Sequence, residues 1–213
     1  MSIKYNWRSA WQISSFRIKL LTGLVVLVAI LVYFPFFFEA IDNRNGRLLH
    51  DILLQWLTPK NMSLPVFLLI WASFLLLIWR LIPDPDLVLL VLWGYNLLTL
   101  LRMTCIGLIS LNPPPGLIPL EDPLTNMFYG SHYITHDLFF SGHTATVCLI
   151  FCCLKPRADK YLAGFATILI GIFLLIQHVH YTIDVLAAPF FTYGAYRCAL
   201  LFTRREHVLL TMT

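Results

Sequence analysis

Six apolar runs long enough to cross roughly 30 Å of hydrocarbon constrain this chain more than any other feature. They fall at about residues 18–38, 64–82, 87–111, 141–154, 161–176 and 182–202. Only 12% of the 213 residues are charged while 59% are hydrophobic, which excludes an ordinary soluble domain. The expectation is an all-α polytopic membrane protein, a bundle of six transmembrane helices over residues 17–203. Residues 1–16 form an N-terminal segment and 204–213 a tail. The first run is longer than a secretory h-region and no A-x-A pattern follows it, so it reads as a span. No linker, repeat or low-complexity tract marks a second domain. The cysteines lie in or beside apolar runs, where a thiol acts as a small hydrophobe.

Between the first two runs, Leu48, Leu49, Ile52, Leu53, Trp56 and Leu57 recur at helical spacing beside Arg47, His50, Asp51 and Gln55. That pattern predicts an amphipathic helix lying along the membrane surface. The run NPPPG at 112–116 ends the third helix, because consecutive prolines remove donors and fix φ. Lys4, Arg8, Arg17, Lys19, Arg80, Lys155, Arg157, Lys160, Arg204 and Arg205 lie on the side of the termini, against Arg44, Arg47 and Lys60 on the other. Basic residues collect in cytoplasmic loops, so both termini are expected in the cytoplasm. The net charge of +4 then reports orientation and gives no sign of nucleic acid as a partner.

With that topology the polar residues gather on the exoplasmic, that is periplasmic or lumenal, face. The loop at 112–140 contributes Glu121, Asp122, His132, His136 and Asp137. SGHT opens the fourth run with His143, and HVHYTID carries His178, His180 and Asp184 into the sixth. His180 and Asp184, four apart, share a helix face, and the carboxylate can accept an imidazole N–H. Such an aspartate fixes the tautomer and leaves the other nitrogen free as a nucleophile. His143 could supply a proton to a leaving oxygen, while Ser141 and Gly142 allow helix N-terminal donors to approach a phosphate. Arg102, inside an apolar run, is costly there unless it meets a cavity, a phosphate or the interface. His132, His136 and His178 are candidate substrate contacts, with a solvated or structural role the alternative. A zinc site is the competing reading of so many histidines and carboxylates; the phosphohistidine reading explains both motifs with no metal and no cofactor.

YGSHYITHDLFFSGHTATV (129–147) and LLIQHVHYTIDV (174–185) resemble the two catalytic motifs of the sphingomyelin synthase family, a branch of the type 2 phosphatidic acid phosphatase superfamily. RMTCIGLISLNPPPG (102–116) is similar, more weakly, to that family's Arg/Thr motif before a proline-rich loop. The resemblance implies six spans, His180 as nucleophile, Asp184 as its partner and His143 as the second catalytic histidine. Asp137 matches the family's aspartate six residues earlier, and Arg102, Ser141, Gly142 and Tyr181 complete the expected substrate contacts. Thr135 and His136 stand where the family has a Cys-Gly pair, and the cytosolic extensions of the animal enzymes are absent. The Lys-rich first motif of ordinary lipid phosphatases is absent too.

The activity expected from this resemblance moves phosphocholine or phosphoethanolamine from a glycerophospholipid to ceramide, or to diacylglycerol, through a phosphohistidine. A lipid phosphatase or phospholipase C-like hydrolase would use the same residues with water as acceptor. A catalytically silent transporter or scaffold is the alternative of another class.

Overall fold

A computed structural model describes residues 6–42, 44–120 and 137–203. These residues form helices α1 (Trp7–Gln12), α2 (Ser14–Asp42), α3 (Ile52–Trp56), α4 (Ser63–Leu81), α5 (Pro85–Leu108), α6 (Gly142–Cys153), α7 (Arg157–Ile176) and α8 (Thr182–Thr203). Among the described residues there is no strand, only an isolated bridge between Arg47 and Leu111. The chain is an all-helical, polytopic membrane protein.

Five of the helices, α2, α4, α5, α7 and α8, are long and apolar enough to cross a membrane. The sixth member of the bundle, α6, has 12 residues and at 1.5 Å per residue reaches only about 18 Å. Ser141 starts it as N-cap, and Pro156 stops it by disfavouring helical geometry at the residue before. Its short length is tolerated because it packs against α4, α5, α7 and α8 and buries Thr144, Ala145, Val147, Cys148, Leu149, Ile150 and Cys153. Lipid therefore has little contact with it.

Apolar burial does not hold helices together in lipid as it does in water; close packing and interhelical hydrogen bonds do. Ala188, Thr192, Ala195 and Ala199 are buried at four-, three- and four-residue steps along α8, and this small-residue stripe lets α5 and α6 approach. The Thr192 hydroxyl donates to the Ala145 carbonyl at 3.3 Å. Between α2 and α5, buried Asn96 donates to the Gly23 carbonyl at 2.8 Å, and Trp93 Nε1 to the Lys19 carbonyl at 3.1 Å.

The end of the bundle that carries the termini is joined by charges. Arg80 on α4 meets Asp159 on α7 at 2.6 Å, and Lys155 meets Asp84, the N-cap of α5, at 2.6 Å. Residues 7–12, expected only as part of a terminal segment, form a capped helix, and Trp7 Nε1 donates to the Ile82 carbonyl at 2.6 Å.

The opposite end departs from expectation in two places. α5 stops at Leu108, three residues before the end of the apolar run, because its carbonyls have partners outside the helix. The Arg44 guanidinium donates to the carbonyls of Gly107 at 2.8 Å and Ile106 at 2.9 Å, a cation on a helix C-terminus. The amphipathic segment is helical only over Ile52–Trp56. The residue that it buries is Leu54, outside the expected apolar face, while Trp56 is 82% exposed. The segment lies on the bundle through Leu54, Leu49 and Leu57, which join Leu111, Leu138, Leu175 and Tyr181 in one cluster, so its remaining apolar residues turn outward.

Candidate active site

The second motif begins where α7 ends. Gln177, fully buried, receives the Met62 N–H on Oε1 at 2.9 Å, and its amide donates to Ser63 Oγ at 3.0 Å and to the carbonyls of Ile118 and Pro119 at 3.2 and 3.0 Å. One side chain thus ties the start of α4 and the loop after the prolines to the end of α7. His178, at a positive φ of 56°, has Nδ1 at 2.8 Å from the Pro115 carbonyl and Nε2 at 3.2 Å from the Leu57 carbonyl. Both ring nitrogens face backbone, so His178 braces the loops. The Tyr181 hydroxyl does the same, donating to the Asn112 carbonyl at 2.9 Å and accepting the Leu49 N–H at 3.3 Å.

His180 and Asp184 sit on this frame. The imidazole side chain is 4% exposed and the carboxylate 0%, with Nδ1 at 3.6 Å from Oδ2. That separation places the two groups side by side but exceeds hydrogen-bond range, and Nδ1 and Asp184 Oδ1 both lack a hydrogen-bond partner. Asp184 Oδ2 instead accepts the Tyr181 N–H at 2.9 Å, the reach of a third-position carboxylate back to the helix N-cap.

The first motif meets the second through backbone. Ser141 N–H donates to the Asp184 carbonyl at 3.2 Å, placing the N-terminus of α6 beside the first turn of α8. α7 packs closely against this junction: a Cβ on Gly171 would lie 2.8 Å from Val185 Cγ1 of α8 and 4.0 Å from Thr144 Oγ1 of α6. Ser141 Oγ accepts the Thr144 N–H at 3.4 Å, and His143 lies in the first turn of α6.

Arg102 arrives from α5. Its Nε donates to the Phe140 carbonyl at 3.0 Å, and its Nη2 lies 2.8 Å from Asp137 Oδ1. The guanidinium rests on Gly142, where a Cβ would come within 2.8 Å of its Cζ. A side chain there would push the cation away from the helix N-terminus. The structure thus brings Arg102, Asp137, Ser141 and Gly142 together on one side, and links them through Asp184 to His180. His132, His136, Glu121 and Asp122 lie outside the described residues. Among the described residues, no three His, Cys, Asp or Glu side chains cluster as metal ligands.

Asp51 was legible only as a polar residue of the amphipathic segment. Its Oδ2 accepts the Thr182 N–H at 2.6 Å, and its Oδ1 accepts the Thr182 hydroxyl at 3.0 Å and the N–H groups of Leu53 and Leu54 at 3.0 and 3.3 Å. The one available signal was positional, an aspartate directly before an apolar helical turn. Beside it, a cleft of about 310 Å³ runs between α3 and the second motif, with Leu49, Leu54, Pro115 and Tyr181 in its walls.

The described residues thus place His180 beside the buried Asp184 carboxylate, and the Arg102 guanidinium against Gly142 at the start of the helix that carries His143. Residues 136–200 match the family model described as PAP2 superfamily C-terminal. The matched stretch holds Asp137, Ser141, Gly142, His143, His178, His180, Tyr181 and Asp184. It supports the type 2 phosphatidic acid phosphatase superfamily, and with it a phosphatase or phosphotransferase-type lipid enzyme. It does not single out the sphingomyelin synthase branch. No curated protein matches the chain.

Proposed function

We propose that the protein is a phospholipid headgroup transferase, moving phosphocholine or phosphoethanolamine from a glycerophospholipid to the hydroxyl of ceramide or a related lipid. His180 Nε2 attacks phosphorus, forming a P–N bond as the P–O bond to diacylglycerol breaks. His143 gives its proton to that departing oxygen. The acceptor hydroxyl then loses its proton to His143 and attacks phosphorus, and the P–N bond breaks. Asp184 orients the imidazole and balances the cation that forms on it. Arg102, with the N-terminus of α6, faces the phosphodiester oxygens.

One observation carries the reading: the buried His180–Asp184 pair is joined by the Ser141 N–H to the helix that begins with Gly142 and His143, under the Arg102 guanidinium. Arg102 is already partnered by Asp137, an arrangement better matched to a singly charged phosphodiester than to a phosphomonoester dianion. Exclusion of water from a buried histidine favours a lipid acceptor, since the intermediate has to survive until that lipid arrives. The distribution of basic residues supports termini in the cytoplasm and a site open to the exoplasmic side.

Hydrolysis is the second reading, favoured by a match that reaches the superfamily and not the branch. Incubation with headgroup-labelled phosphatidylcholine, with and without ceramide, separates the two. A transferase yields labelled sphingolipid when ceramide is present. Free phosphocholine as the dominant product with saturating ceramide makes the protein a hydrolase.

A further inference from the structure

We infer that Asp51 is a positioning residue for the His180–Asp184 pair: by occupying the donors of Thr182 it leaves the Asp184 carboxylate to the imidazole. The inference rests on the phosphohistidine reading above.

The first turn of a helix presents N–H groups with no partner inside the helix. At the start of α8 these donors have two carboxylates within reach. Asp184 already accepts the Tyr181 N–H at 2.9 Å, and its Oδ1 is buried without a hydrogen-bond partner, so it has acceptor capacity left for a further unsatisfied donor of the same turn. The next donor along is the Thr182 N–H. Asp51 takes it at 2.6 Å and takes the hydroxyl of the same residue at 3.0 Å. If Asp51 is removed, the Thr182 N–H is orphaned and draws Asp184 towards the backbone, away from a histidine that it touches at only 3.6 Å. Burial pushes the Asp51 carboxyl up, but the donors of Thr182, Leu54 and Leu53 outweigh it and hold the group below its ordinary value. It remains an ionised acceptor at neutral pH.

This role is separable from holding α3 in place. The segment is also fixed by Leu54 in the cluster with Leu111, Leu138, Leu175 and Tyr181, and by the Leu49 N–H on the Tyr181 hydroxyl. These contacts survive a change at Asp51.

The test is rapid-quench measurement of phosphohistidine formation by the full chain in lipid nanodiscs, with headgroup-labelled phosphatidylcholine as probe. Asp51→Ala is expected to slow adduct formation about 30-fold while KM stays within about twofold, because orientation is lost and substrate binding is not. Asp51→Asn keeps one oxygen for the Thr182 N–H and should recover to within about fivefold of wild type. In an Asp184→Asn background, Asp51→Ala should add less than about twofold, since the residue it positions is already disabled.

Adduct formation at the wild-type rate in both Asp51 variants overturns the inference, as does an undiminished loss in the Asp184→Asn background. If Asp51→Ala does not fold, the Asp51→Asn variant and its Asp184→Asn double mutant decide by the same split. Absence of any adduct in the wild type defeats the phosphohistidine reading instead, so the two failures are told apart.

Discussion

At the end of the bundle that carries the termini, charged side chains face one another, Arg80 with Asp159 and Lys155 with Asp84. At the opposite end polar side chains bond the backbone of segments far away in sequence: Asp51 to Thr182, Gln177 to Met62 and Ile118, Tyr181 to Asn112, His178 near Pro115 and Leu57. Pairs of flexible charged groups fix proximity. A carboxylate or amide bonded to a main-chain atom fixes the position of that atom as well. The His180–Asp184 pair is therefore held by a frame that sets where helices begin, whereas at the other end ion pairs stand beside the Trp7 and Lys19 bonds to the Ile82 and Phe202 carbonyls. Substitutions at the site end should alter rate with little loss of fold, and those at the terminal end should do the reverse.

The largest effect belongs to the two histidines. His180→Ala and His143→Ala should each lower turnover by about a thousandfold or more, because covalent and acid–base roles are not shared by neighbours. Circular dichroism and detergent-extracted size should stay those of wild type. Substantial turnover in either variant breaks the assignment of both motifs to chemistry. Asp184→Asn should cost about 100-fold or more by misorienting the imidazole, with lipid binding retained.

Gly142→Ala comes next. A Cβ at 2.8 Å from Arg102 Cζ moves the guanidinium off the N-terminus of α6, and misplacement on the order of 1 Å should lower kcat/KM about 10- to 100-fold. If Arg102→Ala alone shows the same loss and the double variant adds nothing, the glycine acts through the arginine. Independent losses would mean that Gly142 does something else.

The smallest effects test the terminal end. Arg80→Ala leaves Asp159, 8% exposed in its side chain, without its partner and should cost about 1–3 kcal/mol of stability. Lys155→Ala removes a side chain that is 66% exposed and should cost less than about 1 kcal/mol. Denaturant titration of thermostability in detergent reads the difference. Both variants should retain wild-type turnover, and a large loss of activity in either would erase the distinction between the two ends.

Much of this was legible in the sequence, for identifiable reasons. Apolar runs report helices directly, because a spanning segment must satisfy its own backbone and present apolar atoms to lipid. The short α6 appeared as one run among six, since composition cannot tell a helix that lipid touches from one shielded by four neighbours. His180 and Asp184 were readable because their relation is local, four residues along one helix. Arg102 on Gly142 was only half legible: the arginine was costly in its run, but its resting place is set by tertiary packing. Asp51 and Thr182 are 131 positions apart, and no periodicity connects them. The burial of Leu54 was not legible either, because it depends on the cluster beneath the segment and not on helical phase.

The central claim is a covalent one, so the most direct measurement is to look for the bond. The purified chain should be incubated with headgroup-labelled phosphatidylcholine in the absence of acceptor, quenched in alkali, digested and mapped by mass spectrometry. The account predicts an acid-labile, alkali-stable phosphocholine adduct on His180 that disappears when ceramide is added and is missing from His180→Ala. Labelled product formed with no adduct at any time, or an adduct on another residue that persists in His180→Ala, would contradict it.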